Sequence, residues 1–140
     1  MDMKKEIIKK IIDYIEDNLE QDLNLDSIAA QSGYSKFHLN RLFTAETGLT
    51  IHKYLKERRL TAAARKLIET DHPITRIAHE SGYESQQAFS LAFKRVYLMP
   101  PRLYRSTGTF VPKQEKIVMA QVPASRIIFN FTVRKEQEAA

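Results

Sequence analysis

Apolar residues recur along this chain at helical intervals, and each recurrence is bracketed by residues that start or stop helices. Ile8, Ile11, Ile12, Ile15 and Leu19 form an i, i+3, i+4, i+7, i+11 stripe among lysines and acids, which predicts an amphipathic helix over 3–19. Asn24 is placed to cap a second helix over 25–32, with Ile28 and Ala29 on its inner face. Gly33 then supplies the positive-φ position that ends a helix without a Cβ penalty. Ser35 offers an oxygen to the free N–H groups of a third helix over 36–47, whose inner stripe is Leu39, Leu42 and Phe43, and Gly48 closes it. Thr50 opens a longer helix through Ile68 with Tyr54, Leu55, Leu60, Ala62, Ala63 and Leu67 as its apolar content. At ~1.5 Å per residue this run covers about 27 Å and is expected to act as a spacer. Asp71, His72 and Pro73 break it, and Pro73 suits the first turn of a helix that runs to Ser81. Gly82 leads into a helix over 86–97, after which Pro100 and Pro101 open a last short helix containing Tyr104 and Arg105.

Beyond Gly108 the periodicity fades. Residues 111–116 read as a linker. The stretch 117–133 is rich in Val, Ile and Phe and interrupted by Pro123, so Ile117–Ala120 and Ile127–Val133 read either as two short strands or as part of a disordered tail.

The central pattern occurs twice. Ile77, Ala78, Ser81, Gly82 and Tyr83 repeat Ile28, Ala29, Ser32, Gly33 and Tyr34 at an offset of 49, and Ser85, Phe89, Phe93, Pro100 and Tyr104 repeat Ser35, Leu39, Phe43, Thr50 and Tyr54 at an offset of 50. One residue has been added to the second turn. Each copy reads as two short helices meeting at a glycine, a helix-turn-helix. The expected fold is therefore all-α: an N-terminal helix-turn-helix subdomain over 1–52, a connecting helix over 53–70, a C-terminal subdomain over 71–108 and a tail over 109–140.

Charge sharpens this picture. The net charge of +5 is uneven: residues 1–24 hold four lysines against seven acids, whereas residues 25–109 hold thirteen basic residues against seven acids. Basic charge thus gathers on the repeated unit, as a polyphosphate partner requires. With no cysteine, disulfides, thiol nucleophiles and cysteine-ligated zinc are excluded. The start MDMKKEIIKK lacks the apolar core of a signal peptide and no run is long enough to span a membrane, so a cytoplasmic location is expected. His38, His52, His72 and His79 show neither HxxxH nor HExxH spacing, and no metal, cofactor or small-molecule ligand is expected. An enzyme lacks its constellation here: there is no Gly-rich phosphate loop, nucleophile elbow or partnered carboxylate pair. The competing class is a helical protein-interaction module that uses the outward Phe37 and Leu91. Salt separates the two, because a phosphate-binding interface weakens linearly in log salt and an apolar one does not.

The motifs SGYSKFHLNRLF followed by ETG, then PITRIAHESGYESQQAF, FKRVY and PPRLYR, resemble the AraC/XylS family of transcription regulators, most of all its small stand-alone subgroup, over residues 5–108. The resemblance implies an all-helical body whose two reading helices enter neighbouring major-groove segments of double-stranded DNA. It also implies a monomer on an asymmetric site, and recruitment of RNA polymerase as an activator. The face of the third helix opposite its core stripe carries Phe37, Asn40, Arg41 and Thr44. Arg41 suits a bidentate contact to guanine, Asn40 a pair with adenine and Phe37 a thymine methyl. Ser35, Lys36 and His38 suit phosphate. In the second reading helix the base-facing set is Gln86, Gln87, Ser90 and Leu91, with Ser85 and Lys94 toward phosphate. Phe37 takes the place of a tryptophan common in close relatives, and Leu91 stands where they commonly carry the counterpart of Arg41. A guanine contact is therefore missing from the second half, and discrimination is expected to concentrate under Ser35 to Thr47. Leu98 occupies a position that is often glycine. Two readers in one chain predict a 1:1 complex with a duplex of about two turns, spaced near the ~34 Å repeat or on bent DNA. Removing 113–140 is expected to change DNA affinity by only a few fold.

Overall fold

The computed structural model describes residues 2–119. Among them every regular element is helical: α1 (Met3–Asp17), α2 (Leu25–Ala30), α3 (Lys36–Thr47), α4 (Ile51–Glu69), α5 (Ile74–Glu80), α6 (Gln86–Tyr97) and α7 (Pro101–Thr107). The described chain divides into two compact units, one of residues 2–17, 23–54 and 116–119, the other of residues 18–22 and 55–115. The first four residues of α4 thus belong to the first unit and the remainder to the second.

The first unit is built on the isoleucine stripe of α1. Ile8, Ile11 and Ile15 have no exposed surface and Ile12 almost none, and α1 packs on α2 and α3. At ~1.5–3 kcal/mol for each fully buried aliphatic side chain, this stripe is what turns a short polar helix into a fixed element. Ile28, Leu39, Phe43, Ile51 and Tyr54 complete the core, with the Phe43 and Tyr54 rings 5.6 Å apart. The second unit repeats the plan. Leu60, Ala63, Ala64 and Leu67 of α4 pack with Ile77, Phe89, Phe93 and Tyr104, and Phe93 and Tyr104, the counterparts of Phe43 and Tyr54, meet edge to face at 5.4 Å.

Four expectations are revised. Helix α1 ends at Asp17 instead of Leu19. Residues 18–22 belong to the second unit, where the Arg59 guanidinium donates through Nε to the Leu19 carbonyl at 2.8 Å and through a terminal nitrogen to that of Gln21. Those carbonyls are thereby satisfied outside any helical ladder. Residues 111–116 are not a loose linker. Tyr97 Oη donates to the Val111 carbonyl at 2.8 Å, the Gln114 N–H donates to Thr61 Oγ1 at 3.0 Å, and Arg58 donates to the Gln114 carbonyl at 2.7 Å. Finally, 117–119 form no strand. In the first unit Ile117 and Met119 are buried, the Ile117 N–H donates to Tyr54 Oη at 3.2 Å, and Lys116 pairs with Asp13 at 2.8 Å. The second candidate strand, Ile127–Val133, lies outside the described residues, as does Ala120.

Candidate nucleic-acid interface

Each unit carries a helix, a glycine turn and a second helix with an exposed outer face. In the first, Asn24 caps α2 by accepting from the Ser27 N–H at 2.8 Å while Ser27 Oγ accepts from the Asn24 N–H at 3.1 Å, a reciprocal capping box. Gly33 follows at φ 77°, and Ser35 Oγ accepts from the His38 N–H at 3.2 Å to start α3. In the second, Gly82 sits at φ 87° and Ser85 Oγ accepts from the Ala88 N–H at 3.1 Å to start α6. The positive φ is what requires glycine at 82, and a Cβ there would in addition sit 3.0 Å from the Arg59 guanidinium, which would have to shift slightly.

Both faces are open. Phe37 is 67% exposed and Leu91 54% exposed, far more than large apolar side chains need to be in helices whose other faces are buried. Arg41, His38, Gln86, Gln87 and Lys94 are exposed, as are the caps Ser35 and Ser85. Lys36 lies 3.4 Å from Asp26 and over the Phe37 ring at 5.5 Å, and His38 packs on Tyr34 with ring centroids 4.5 Å apart. These contacts restrain three neighbouring side chains before any ligand arrives, which lowers the ordering cost of binding.

Two of the expected base readers are already engaged. Asn40 Oδ1 accepts the Ile51 N–H at 3.0 Å, and Thr44 Oγ1 donates to the Leu49 carbonyl at 3.1 Å. Both side chains are half-buried. In α6 the corresponding Ser90 is also half-buried, whereas Lys94 is exposed. Arg95, beside Lys94 in the last turn of α6, is exposed as well. It was not singled out from the sequence, although its place outside the Phe89, Phe93, Val96 stripe is readable there.

Burial pushes the Tyr97 phenol up to about 12 and raises that of Tyr83, and burial lowers the Arg59 guanidinium from its usual range. No group of three or more potential metal ligands occurs among the described residues, and no helix there is long and apolar enough to cross a membrane.

A duplicated helix-turn-helix whose second helices expose an arginine, polar side chains and isolated apolar residues defines a DNA-binding regulator. Residues 28–107 match a family described as a helix-turn-helix domain. The chain is 45% identical over 101 residues to the multiple antibiotic resistance protein MarA of Escherichia coli, covering 72% of this chain and 80% of that one. It is 43% identical over 101 residues to the regulatory protein SoxS of Salmonella typhimurium, covering 72% and 94%. Among solved structures it resembles the C-terminal domain of AraT, a response regulator from Geobacillus stearothermophilus, with TM-score 0.69, 35% identity and 72% and 84% of the two chains covered. It also resembles the DNA-binding domain of the global transcriptional factor AdpA in complex with a target DNA, with TM-score 0.66, 25% identity and 71% and 90% covered. The chain belongs to the AraC/XylS family of transcription regulators. It is a DNA-binding transcription regulator and not an enzyme.

Proposed function

We propose that α3 and α6 both enter the major groove of one duplex, that a single copy of the chain occupies the site, and that the two helices read it unequally. The observation that carries this reading is the pairing of exposed Phe37 and Arg41 on α3 against exposed Leu91 at the place of Arg41 on α6. Arg41 makes a bidentate contact to guanine O6 and N7, and Phe37 covers a thymine methyl. Gln86, Gln87, Ser90 and Leu91 face bases in the second half-site, Leu91 offering only apolar contact. Ser35, Lys36, His38, Ser85, Lys94 and Arg95 meet phosphate, the two serines through helix N-termini whose N–H groups favour anions. At promoters the bound protein activates by recruiting RNA polymerase, in the cytoplasm; the likeness to MarA and SoxS supports this.

Base-substitution scanning tests the asymmetry. Loss of a bidentate arginine–guanine pair costs about 1–3 kcal/mol, so Arg41→Ala removes most preference in its half-site and leaves the salt-sensitive, non-specific binding in place. Leu91→Ala costs less. A larger loss from Leu91→Ala than from Arg41→Ala contradicts the assignment.

A further inference from the structure

The two units fix the turn after their reading helix by different chemistry. In the first, Ile51 is the opening residue of α4, and its N–H belongs to the set that a helix cannot satisfy internally. Asn40 Oδ1, on α3, accepts it at 3.0 Å. Thr44 Oγ1 on α3 donates to the Leu49 carbonyl at 3.1 Å, so Asn40 and Thr44 tie the turn to α3, and Thr50 Oγ1 caps α4 by accepting from the Lys53 N–H at 3.1 Å. In the second unit, at the same offset of 50, Ile51 becomes Pro101 and Thr50 becomes Pro100. Pro101 has no N–H to satisfy, and the ring of Pro100 holds φ at −65° without a side-chain cap. Ser90, the counterpart of Asn40, makes no side-chain hydrogen bond among the described residues, and Lys94, the counterpart of Thr44, is exposed with no ion pair among them.

We infer that Asn40 is a positioning residue, holding α3 to the start of α4 so that Arg41 is aimed into the groove, and that base reading at this helical position occurs in the second unit alone, through Ser90. The inference rests on the reading of α3 and α6 as the groove-entering helices. A bidentate pair with adenine requires Oδ1 and Nδ2 of asparagine to face the base together. With Oδ1 committed to the Ile51 amide, such a pair forms only by leaving a buried donor unsatisfied. The proline pair in the second unit removes that demand, which is why a short serine suffices there and is left to face the duplex.

The test combines amide exchange with base scanning on Asn40→Ala and Asn40→Asp. In the DNA-free protein, Asn40→Ala is expected to speed exchange of the Ile51 amide at least tenfold, and Asn40→Asp, which keeps an acceptor at the same reach, to restore its protection. On DNA, Asn40→Ala lowers discrimination at the guanine read by Arg41 several fold and relaxes no adenine step. Asn40→Asp keeps the parent's pattern of preferences at reduced affinity. Unchanged Ile51 exchange in Asn40→Ala, or relaxation of one adenine step in both variants, overturns the inference. Failure of the underlying reading has its own signature: Arg41→Ala then leaves the preference pattern intact whatever the Ile51 amide does.

Discussion

Leu98 closes α6 at φ 62° and ψ 17°, a left-handed conformation that no other non-glycine residue among those described adopts. Its counterpart at the end of α3 is Gly48, at φ 80° and ψ 3°, and both residues donate their N–H to the carbonyl four residues back at 2.8 Å. The left-handed region costs an L-residue ~1–2 kcal/mol. Leu98 recovers little of that by packing, being 81% exposed. Leu98→Gly removes the penalty and returns ~0.4–1 kcal/mol of it through the larger entropy of the unfolded chain. The expected result is a net gain of roughly 0.5–1 kcal/mol, or about 2–4 °C in Tm. Leu98→Ala keeps the Cβ and serves as the control, with an expected change near zero. Urea unfolding of the three proteins, followed by circular dichroism, measures the differences. Equal stability of the glycine and alanine variants refutes the claim that backbone strain is stored at this cap.

Other consequences follow from the packed segment and the buried tyrosine. A chain terminated after Pro112 loses the bonds of Gln114 and the buried Ile117 and Met119, and it should have a lower urea midpoint than one terminated after Met119; equal midpoints would show that the segment contributes nothing. Because the folded state holds the Tyr97 proton more tightly, its phenol at about 12 against 10 unfolded, its contribution is complete below pH 10 and is lost as pH rises toward 12. Between pH 9 and 11 the parent should lose about 1 kcal/mol more than Tyr97→Phe, at ~1.4 kcal/mol per unit of pH, and parallel pH profiles would count against that cause.

The helices and their caps are readable from the chain because their determinants are local. The stripe Ile8, Ile11, Ile12, Ile15 and the caps Asn24, Ser35 and Ser85 each act within a few residues, and Gly33 and Gly82 stand at positive φ as the turns demand. What resists reading is settled across longer separations. A helical wheel places Asn40 and Thr44 beside Arg41, but the Asn40 acceptor meets a donor eleven residues away beyond a turn. The signal that exists is indirect: the repeat replaces Ile51 by Pro101, and only a comparison of the two copies reveals that one needs an acceptor and the other does not. Residues 111–119 carry no period because an irregular segment, bent at Lys113 and Gln114, is held through individual contacts, among them Tyr54 Oη with the Ile117 N–H. Leu19 continues the apolar stripe of α1, yet its carbonyl is claimed by Arg59, forty residues on.

The absence of cysteine makes the central claim directly testable, since any cysteine introduced is unique. His38 and Ala88 are equivalent exposed positions in the first turns of α3 and α6, and Met3 on α1 is 72% exposed. Three variants, His38→Cys, Ala88→Cys and Met3→Cys, each carrying a tethered iron chelate, would be bound to one specific duplex and the sites of strand cleavage mapped. If α3 and α6 occupy successive major-groove segments, the first two produce discrete cuts centred about 10 bp apart, and the third produces none above background. Cuts from only one of the two helices, or cleavage by Met3→Cys as strong as theirs, would contradict the assignment of both helices as readers.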